Sequence, residues 1–409
     1  MRTVSSEKKV AMPADAKRVN RQMVMNVLRK GTPVTVADIH EETGISRPTA
    51  MRTLQHYCEL GVAKSLGLGE STNVGGKKPE LFCFADERKI LCINLWPGQI
   101  SMGICGLIGK VEKMRAFNKP RTPDKPQEST ISAAFGALHD AAVAYVKEIG
   151  VTFDDLYGVM LSVPGTVDYD RRMLRYNVKA PEWGVNVMLG DRLKEIFGED
   201  KEYFVGNAGK TMGRAILIDE PEYAQRRVMT LFTAWGVSAC MIERGHVLNG
   251  RDSLIGEIGH MVISESAGTT CACGKRGCLE SLISLGHVRD MLRSQGADEL
   301  CEGLTIPRLF EVSAGGDARA QAMVRQLAHY FAVALHNLSL CYNQEVVVIQ
   351  GDFAWADALF DAALKEELTQ FRYYPQELFA IAYDRRDISL LSLRGGAEVI
   401  KKKYFASLD

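Results

Sequence analysis

The stretch Gly256–Ser281 constrains this chain more than any other. His260 stands eleven residues before Cys271, and Cys271, Cys273 and Cys278 crowd onto a short segment containing Gly274 and Gly277. Three thiolates and one imidazole make the donor set of a tetrahedral zinc site. A redox cysteine set or chance clustering is the alternative, and the glycine turns with a nearby histidine favour metal. A closed shell of four protein ligands makes that zinc structural. The other seven of the ten cysteines are scattered, as small apolar fillers are in a chain without disulfides.

Upstream, the pattern is that of a small helical module. Met23, Val24, Val27 and Leu28 recur at helical spacing over Asn20–Arg29, and Gly31 and Pro33 stop that helix. Thr35 caps a second short helix, Val36 to Thr43, and Gly44 makes a turn. Ser46 caps a third, running to about Leu60, with Pro48 in its first turn. Ala50, Leu54, Tyr57 and Cys58 are expected to face the core, and Arg47, Thr49, Met51, Arg52 and Gln55 to face outward.

A short helix, a glycine turn and a second helix opened by Ser and Arg make a helix-turn-helix. Two strands, VAKSL and ELFCF, then flank a basic, glycine-rich tip with Lys77 and Lys78, which reads as a wing. Ser46, Arg47, Thr49, Met51, Arg52, Lys77 and Lys78 are the candidate DNA contacts. Charge agrees: residues 1–82 hold 13 Lys+Arg against 8 Asp+Glu, whereas the whole chain holds 50 of each. A basic head on an acidic body suits an anionic partner. The bland alternative is a three-helix docking module with a flexible hairpin.

From Lys89 onward, buried-strand runs (KILCINLW, YGVMLSV, RVMTLFTA, EVVVIQG) alternate with helices such as Ile131–Ile149 and Ala318–Leu340. That alternation argues α/β, in two lobes with a cleft between them. Asn118–Ser129, rich in proline and charge, is expected to be an exposed loop. A length of 409 residues suits two or three domains. No run of about eighteen apolar residues predicts a membrane span, and the N-terminus has no secretory-signal pattern. A cytoplasmic location is the expectation.

The string G-E-I-G-H followed by C-x-C-G-x-x-G-C-x-E resembles the signature of the ROK family, which groups repressors, unassigned reading frames and sugar kinases. VNRQMVMNVL, TGISRPTAMRTL and VGGKKPELF resemble the DNA-binding head of its regulators, and SVPGTVD and EVVVIQGDF resemble further family segments. The resemblance implies an actin- or hexokinase-like two-lobe fold preceded by a winged helix-turn-helix. It divides the chain into a head at 1–85, a first lobe at 86–200 completed by about 386–409, and a second lobe at 201–385 with the zinc site. It implies His260, Cys271, Cys273 and Cys278 as zinc ligands, and Asn207, Glu257, His260 and Glu280 as contacts to sugar hydroxyls. Carboxylates accept from neighbouring hydroxyls, and a zinc-bound imidazole has its second nitrogen oriented for a ligand. Support of the zinc loop alone is the other reading of Glu257 and Glu280.

Three features of the family's kinases are altered. The acidic, glycine-rich turn after the first strand, which cradles phosphate, is here Asn94-Leu95-Trp96-Pro97-Gly98-Gln99. The catalytic aspartate of E-N-D-A-N, the base that deprotonates the sugar hydroxyl, is replaced by Ala208 in Gly206-Asn207-Ala208-Gly209-Lys210. The G-T-G-I-G-x-G loop is Ala234-Trp235-Gly236-Val237-Ser238-Ala239-Cys240. No catalytic residue is therefore assigned. The chain is expected to be a regulator, a repressor by family habit, that binds a double-stranded operator as a homodimer or homotetramer and responds to a sugar or sugar phosphate. The alternatives are a sugar kinase carrying a DNA-binding head, and a scaffold for another protein.

Overall fold

The computed structural model describes residues 13–69, 78–118, 130–265, 269–372 and 378–408. Lys77 and all of the Asn118–Ser129 segment except Asn118 lie outside them.

The head holds α1 (Pro13–Leu28), α2 (Val36–Thr43), α3 (Arg47–Glu59) and the antiparallel strands β1 (Ala63–Leu68) and β2 (Glu80–Phe84). Local chemistry sets the helix ends. Thr35 and Asp38 form a reciprocal capping box on α2, and Gly44 closes it in the left-handed conformation. Ser46 caps α3, whose second residue is Pro48. Val34 adds a bridge to Phe82, so a third extended segment joins the pair of strands. Val24, Val27, Leu28, Ala50, Leu54 and Tyr57 form the core as expected. Three positions differ. Met25 is buried and Met23 is exposed, the reverse of the simple helical reading, and Met51 packs half-buried against the core.

The body starts with β3 (Lys89–Trp96), β4 (Gln99–Gly106) and β5 (Glu112–Asn118), then α4 (Ile131–Ile149), β6 (Leu156–Val163) and the short β7 (Thr166–Asp168), β8 (Met173–Tyr176) and β9 (Val187–Met188). Next come α5 (Leu189–Phe197), β10 (Glu202–Asn207) and α6 (Ala208–Asp219). The first sheet has the order β10-β6-β3-β4-β5. Since β10 pairs in parallel with β6, this sheet extends past the expected boundary at 200/201 to Asn207.

The second sheet, ordered β13-β12-β11-β14-β15, is built from β11 (Arg227–Thr233), β12 (Val237–Glu243), β13 (His246–Val247), β14 (Val346–Gly351) and β15 (Ala380–Asp384). Its helices are α7 (Leu279–Leu282), α8 (Leu285–Ser294), α9 (Ile306–Ala314), α10 (Ala318–Tyr342) and α11 (Ala358–Gln370), before α12 (Ile388–Ala406) closes the fold. Helices α4 and α5 cover one face of the first sheet and α12 the other. The second sheet is sandwiched likewise between α7–α11 and α6. The paired helices α6 and α12 therefore lie between the two sheets, and the cleft opens at the end of that pair where Trp96, Ala208, Phe232 and Leu391 share one apolar cluster. No helix among the described residues is long and apolar enough to cross a membrane.

Candidate metal centre and ligand cleft

His260 ends a single helical turn, Ile258–His260, that follows directly on Glu257. The turn is anchored from behind: Gly256 takes φ +100°, and a Cβ there would overlap the carbonyl of Ala239, whose own N–H donates to Gly256 at 2.7 Å. Only glycine satisfies both demands. The cysteine loop is tied to the same segment by Leu279 N–H to Met261 O at 3.0 Å and Ile263 N–H to Gly277 O at 2.7 Å. Gly277, at φ +72°, sits where a Cβ would run into the Ser264 carbonyl.

These ties bring His260, Cys271, Cys273 and Cys278 together, with one ligand atom from each all within 4.8 Å of one another. Cys273 Sγ lies 3.6 Å from Cys278 Sγ, and Cys271 Sγ 3.5 Å from His260 Nδ1. Sulfurs about 2.3 Å from a tetrahedral ion stand roughly 3.8 Å apart, so the cluster could hold a metal. With Nδ1 turned to the thiols, Nε2 is the nitrogen left for the cleft that His260 lines.

That cleft is walled by Trp96, Asn177 and Lys179 on one side and by Phe232, Trp235 and Val237 on the other. Asn207, Glu257, His260 and Glu280, the four residues expected to meet sugar hydroxyls, all line it. Asn207 caps α6 through Lys210 N–H (3.0 Å) and donates to Gly165 O (2.7 Å), which leaves one lone pair and one N–H for a ligand. Burial pushes the Glu257 carboxyl above its ordinary range, against the pull of the Lys210 charge. Glu280 is already engaged: Oε2 accepts from Val237 N–H at 2.9 Å and Oε1 meets Lys179 Nζ at 2.9 Å.

Lys179 escaped the sequence reading. It lies on an irregular loop of the first lobe and carries no motif, yet it bridges to Glu280 and to the Trp235 carbonyl on the second lobe. Lys210 escaped as well. It is 2% exposed, donates to Ser253 O at 3.1 Å and so braces the loop that carries Glu257.

The three altered kinase elements meet at the same cleft. Asn94 spends its amide N–H groups on Ser101 Oγ (3.0 Å) and Ser389 O (3.1 Å). The turn after it is a tight hairpin in which Trp96 pairs with Gln99. Trp96 donates to Ser162 Oγ, and its ring lies 4.6 Å from that of Trp235. Ala208 also lines the cleft, with its methyl among the lining groups. The two indoles thus line one side of the cleft that Ala208 also borders.

On the head, Arg47, Arg52 and Lys78 are exposed. Ser46 caps α3 as expected, and its hydroxyl shares a 2.9 Å hydrogen bond with that of Thr49. Met51, turned to the core, is withdrawn from the outward face.

Among known proteins, the ROK family model matches residues 93–389. A glucokinase of Thermotoga maritima is 26% identical over 230 residues, 52% of this chain and 69% of that protein. The DNA-binding transcriptional dual regulator NagC of Escherichia coli K12 is 21% identical over 356 residues, 85% of this chain and 84% of its own. A crystal structure described as a ROK family transcriptional regulator, a homologue of the E. coli MLC protein, superposes with TM-score 0.74 at 18% identity, over 96% of this chain and 98% of that one. The match to that structure establishes the shared fold, head included.

Proposed function

The chain belongs to the ROK family, and from that premise we propose that it is a DNA-binding transcriptional regulator, a repressor by type, whose kinase-like body binds a sugar without phosphorylating it. One observation carries the reading: Ala208, Trp96 and Trp235 meet at a single cleft. Phosphoryl transfer needs a base on the sugar hydroxyl and backbone N–H groups around the phosphate. A methyl stands in place of the first, and the loops that would supply the second carry Trp96 and Trp235, whose rings lie 4.6 Å apart. The NagC relative supports the regulatory half, because the likeness runs through the head as well as the body.

The head would engage an operator through Arg47 and Arg52 at base edges and Lys78 at phosphate. Two or four copies of the chain would present paired heads to half-sites about one helical turn apart or a multiple of it. In the body, Glu257, His260 and Asn207 would hold sugar hydroxyls. The Cys₃His donor set is that of structural zinc, which would fix the cysteine loop and orient the imidazole toward the ligand.

The full-length protein tests this in two assays. Incubated with MgATP and a panel of hexoses, pentoses and amino sugars, it is expected to release no ADP above background. In a mobility-shift titration on its own promoter region, at least one sugar is expected to change operator affinity severalfold. Sugar-dependent ADP release would overturn the non-enzymatic reading in favour of a kinase with a DNA-binding head. Absence of any promoter binding would overturn the regulatory one.

A further inference from the structure

We propose that the cleft takes a two-ring sugar, a disaccharide or glycoside, whose second ring occupies a compartment beyond the Lys179–Glu280 bridge. This rests on the reading above that the first compartment holds a sugar.

A second compartment adjoins the first and shares Lys179, Trp235, Gly236, Val237 and Glu280 with it. The two compartments share a wall, so one ligand can reach both, and the far one offers a second ring a polar lining of its own.

The polar lining says what kind of second ring. Asp352 lines the far compartment at the start of the turn after β14. Its carboxylate has no hydrogen bond or ion pair among the described residues, and burial alone raises its proton affinity. A half-buried carboxylate without a partner is costly, and a ligand donor relieves that cost. Hydroxyl groups supply such donors and phosphates do not. Two carboxylates, Glu280 and Asp352, face one ammonium, Lys179, so the compartment repels the polyanionic tail of a nucleotide.

Trp235 supplies the wall between the two. It is 40% exposed, and its flat apolar face suits the C–H face of a pyranose, a common use of aromatic residues in such sites. The Lys179–Glu280 contact is no barrier. Its ammonium side is 36% exposed and its carboxylate side 13%, so the pair is half-solvated and water or ligand oxygens can reach the ammonium.

Isothermal titration of the full chain decides this, with glucose set against maltose, cellobiose and sucrose, and xylose against xylobiose. At least one disaccharide is expected to bind tenfold or more tightly than its monosaccharide. Asp352→Asn, which keeps shape and removes charge, is expected to erase that advantage. Trp235→Ala is an independent second probe with the same expected loss, and Glu257→Ala is expected to weaken both classes. Equal affinities, or an advantage that survives both Asp352→Asn and Trp235→Ala, would overturn the two-ring site and leave a single-sugar cleft standing. Failure of every sugar to bind the wild type would overturn the cleft reading itself. Competition between a non-hydrolysable ATP analogue and the disaccharide would reassign the far compartment to nucleotide.

Discussion

Arg47 and Arg52 stand out from the first turns of α3 with their guanidinium groups in solvent. Paired with a base, Arg47 is expected to contribute about 1–3 kcal/mol, so Arg47→Ala should weaken operator binding and relax specificity at one position. Lys78→Ala should weaken binding evenly across sequences and flatten its salt dependence. Unchanged mobility-shift affinity in the Arg47→Ala, Arg52→Ala double variant would refute this face. At the metal centre, elemental analysis of wild type should find about one zinc per chain. Cys273→Ser, which removes one thiolate of four, should lose it and lower the melting temperature, because metal affinity and folding are linked. In the cleft, Ala208→Asp should restore a carboxylate and still no kinase activity. Trp96 and Trp235 remain in place, and positioning supplies most of phosphoryl-transfer catalysis. ADP release by that variant would show that the base alone was missing.

Among the elements, the α6–α12 pair matters most, because both lobes rest on it. The helices touch through glycine: a Cβ at Gly395 would overlap the Thr211 carbonyl. Beside that contact, Ser162, Thr211 and Ser392 share a buried hydroxyl cluster with Oγ–Oγ separations of 2.8–3.3 Å. Gly395→Val is expected to push the helices apart and cost at least the 1–3 kcal/mol typical of an overpacked core, read as a lower denaturation midpoint. At the far end of α6, Asp219 meets Arg394 and Arg386. Burial raises the Asp219 carboxyl, but hydrogen bonds and the charges of the two arginines outweigh it and hold it below its ordinary value. A depressed folded pKa contributes stability above the unfolded value, near 3.9, that disappears as pH falls through the folded one. Asp219→Asn should therefore narrow the stability gap to wild type below about pH 4. An equal gap at pH 7 and pH 3 would contradict that assignment.

For the whole molecule, the question is how a ligand between the lobes reaches the head. The end of α12 makes the junction. Phe405 and Leu408 pack into the head core as well as against the first sheet, Arg29 of α1 lies 4.3 Å over the Phe405 ring, and Arg29 also reaches Glu398 at 3.7 Å. A ligand that shifts the lobes shifts α6 and α12, and α12 carries the head. Couplings of this sort are typically about 1–3 kcal/mol, or roughly 5–150-fold in affinity. Phe405→Ala is expected to leave sugar binding intact and to shrink the sugar's effect on operator affinity, with affinity in the absence of sugar as the control. An undiminished sugar response in this variant would rule out α12 as the connection.

Much of this was legible in the sequence because it is local. Capping residues, glycine turns and 3.6-residue periodicity act over a few positions. Thus α2 and α3 begin and end where Thr35, Gly44 and Ser46 place them, and the four metal-cluster residues declared themselves by type and spacing. The alanine at position 208 is likewise a fact about one residue. What only the tertiary structure decided depends on partners distant in the chain. Met25 is buried beside a groove that it shares with Phe405, and no reading of α1 alone contains that neighbour. The first sheet runs through β10 because hydrogen bonding to β6, not a break in composition, sets where a sheet stops. Lys179 meets Glu280, and Trp96 meets Trp235, only because folding lays one lobe against the other. Side-chain periodicity reports which face of an element is apolar; which other element covers that face, and which charges it brings along, is settled by packing.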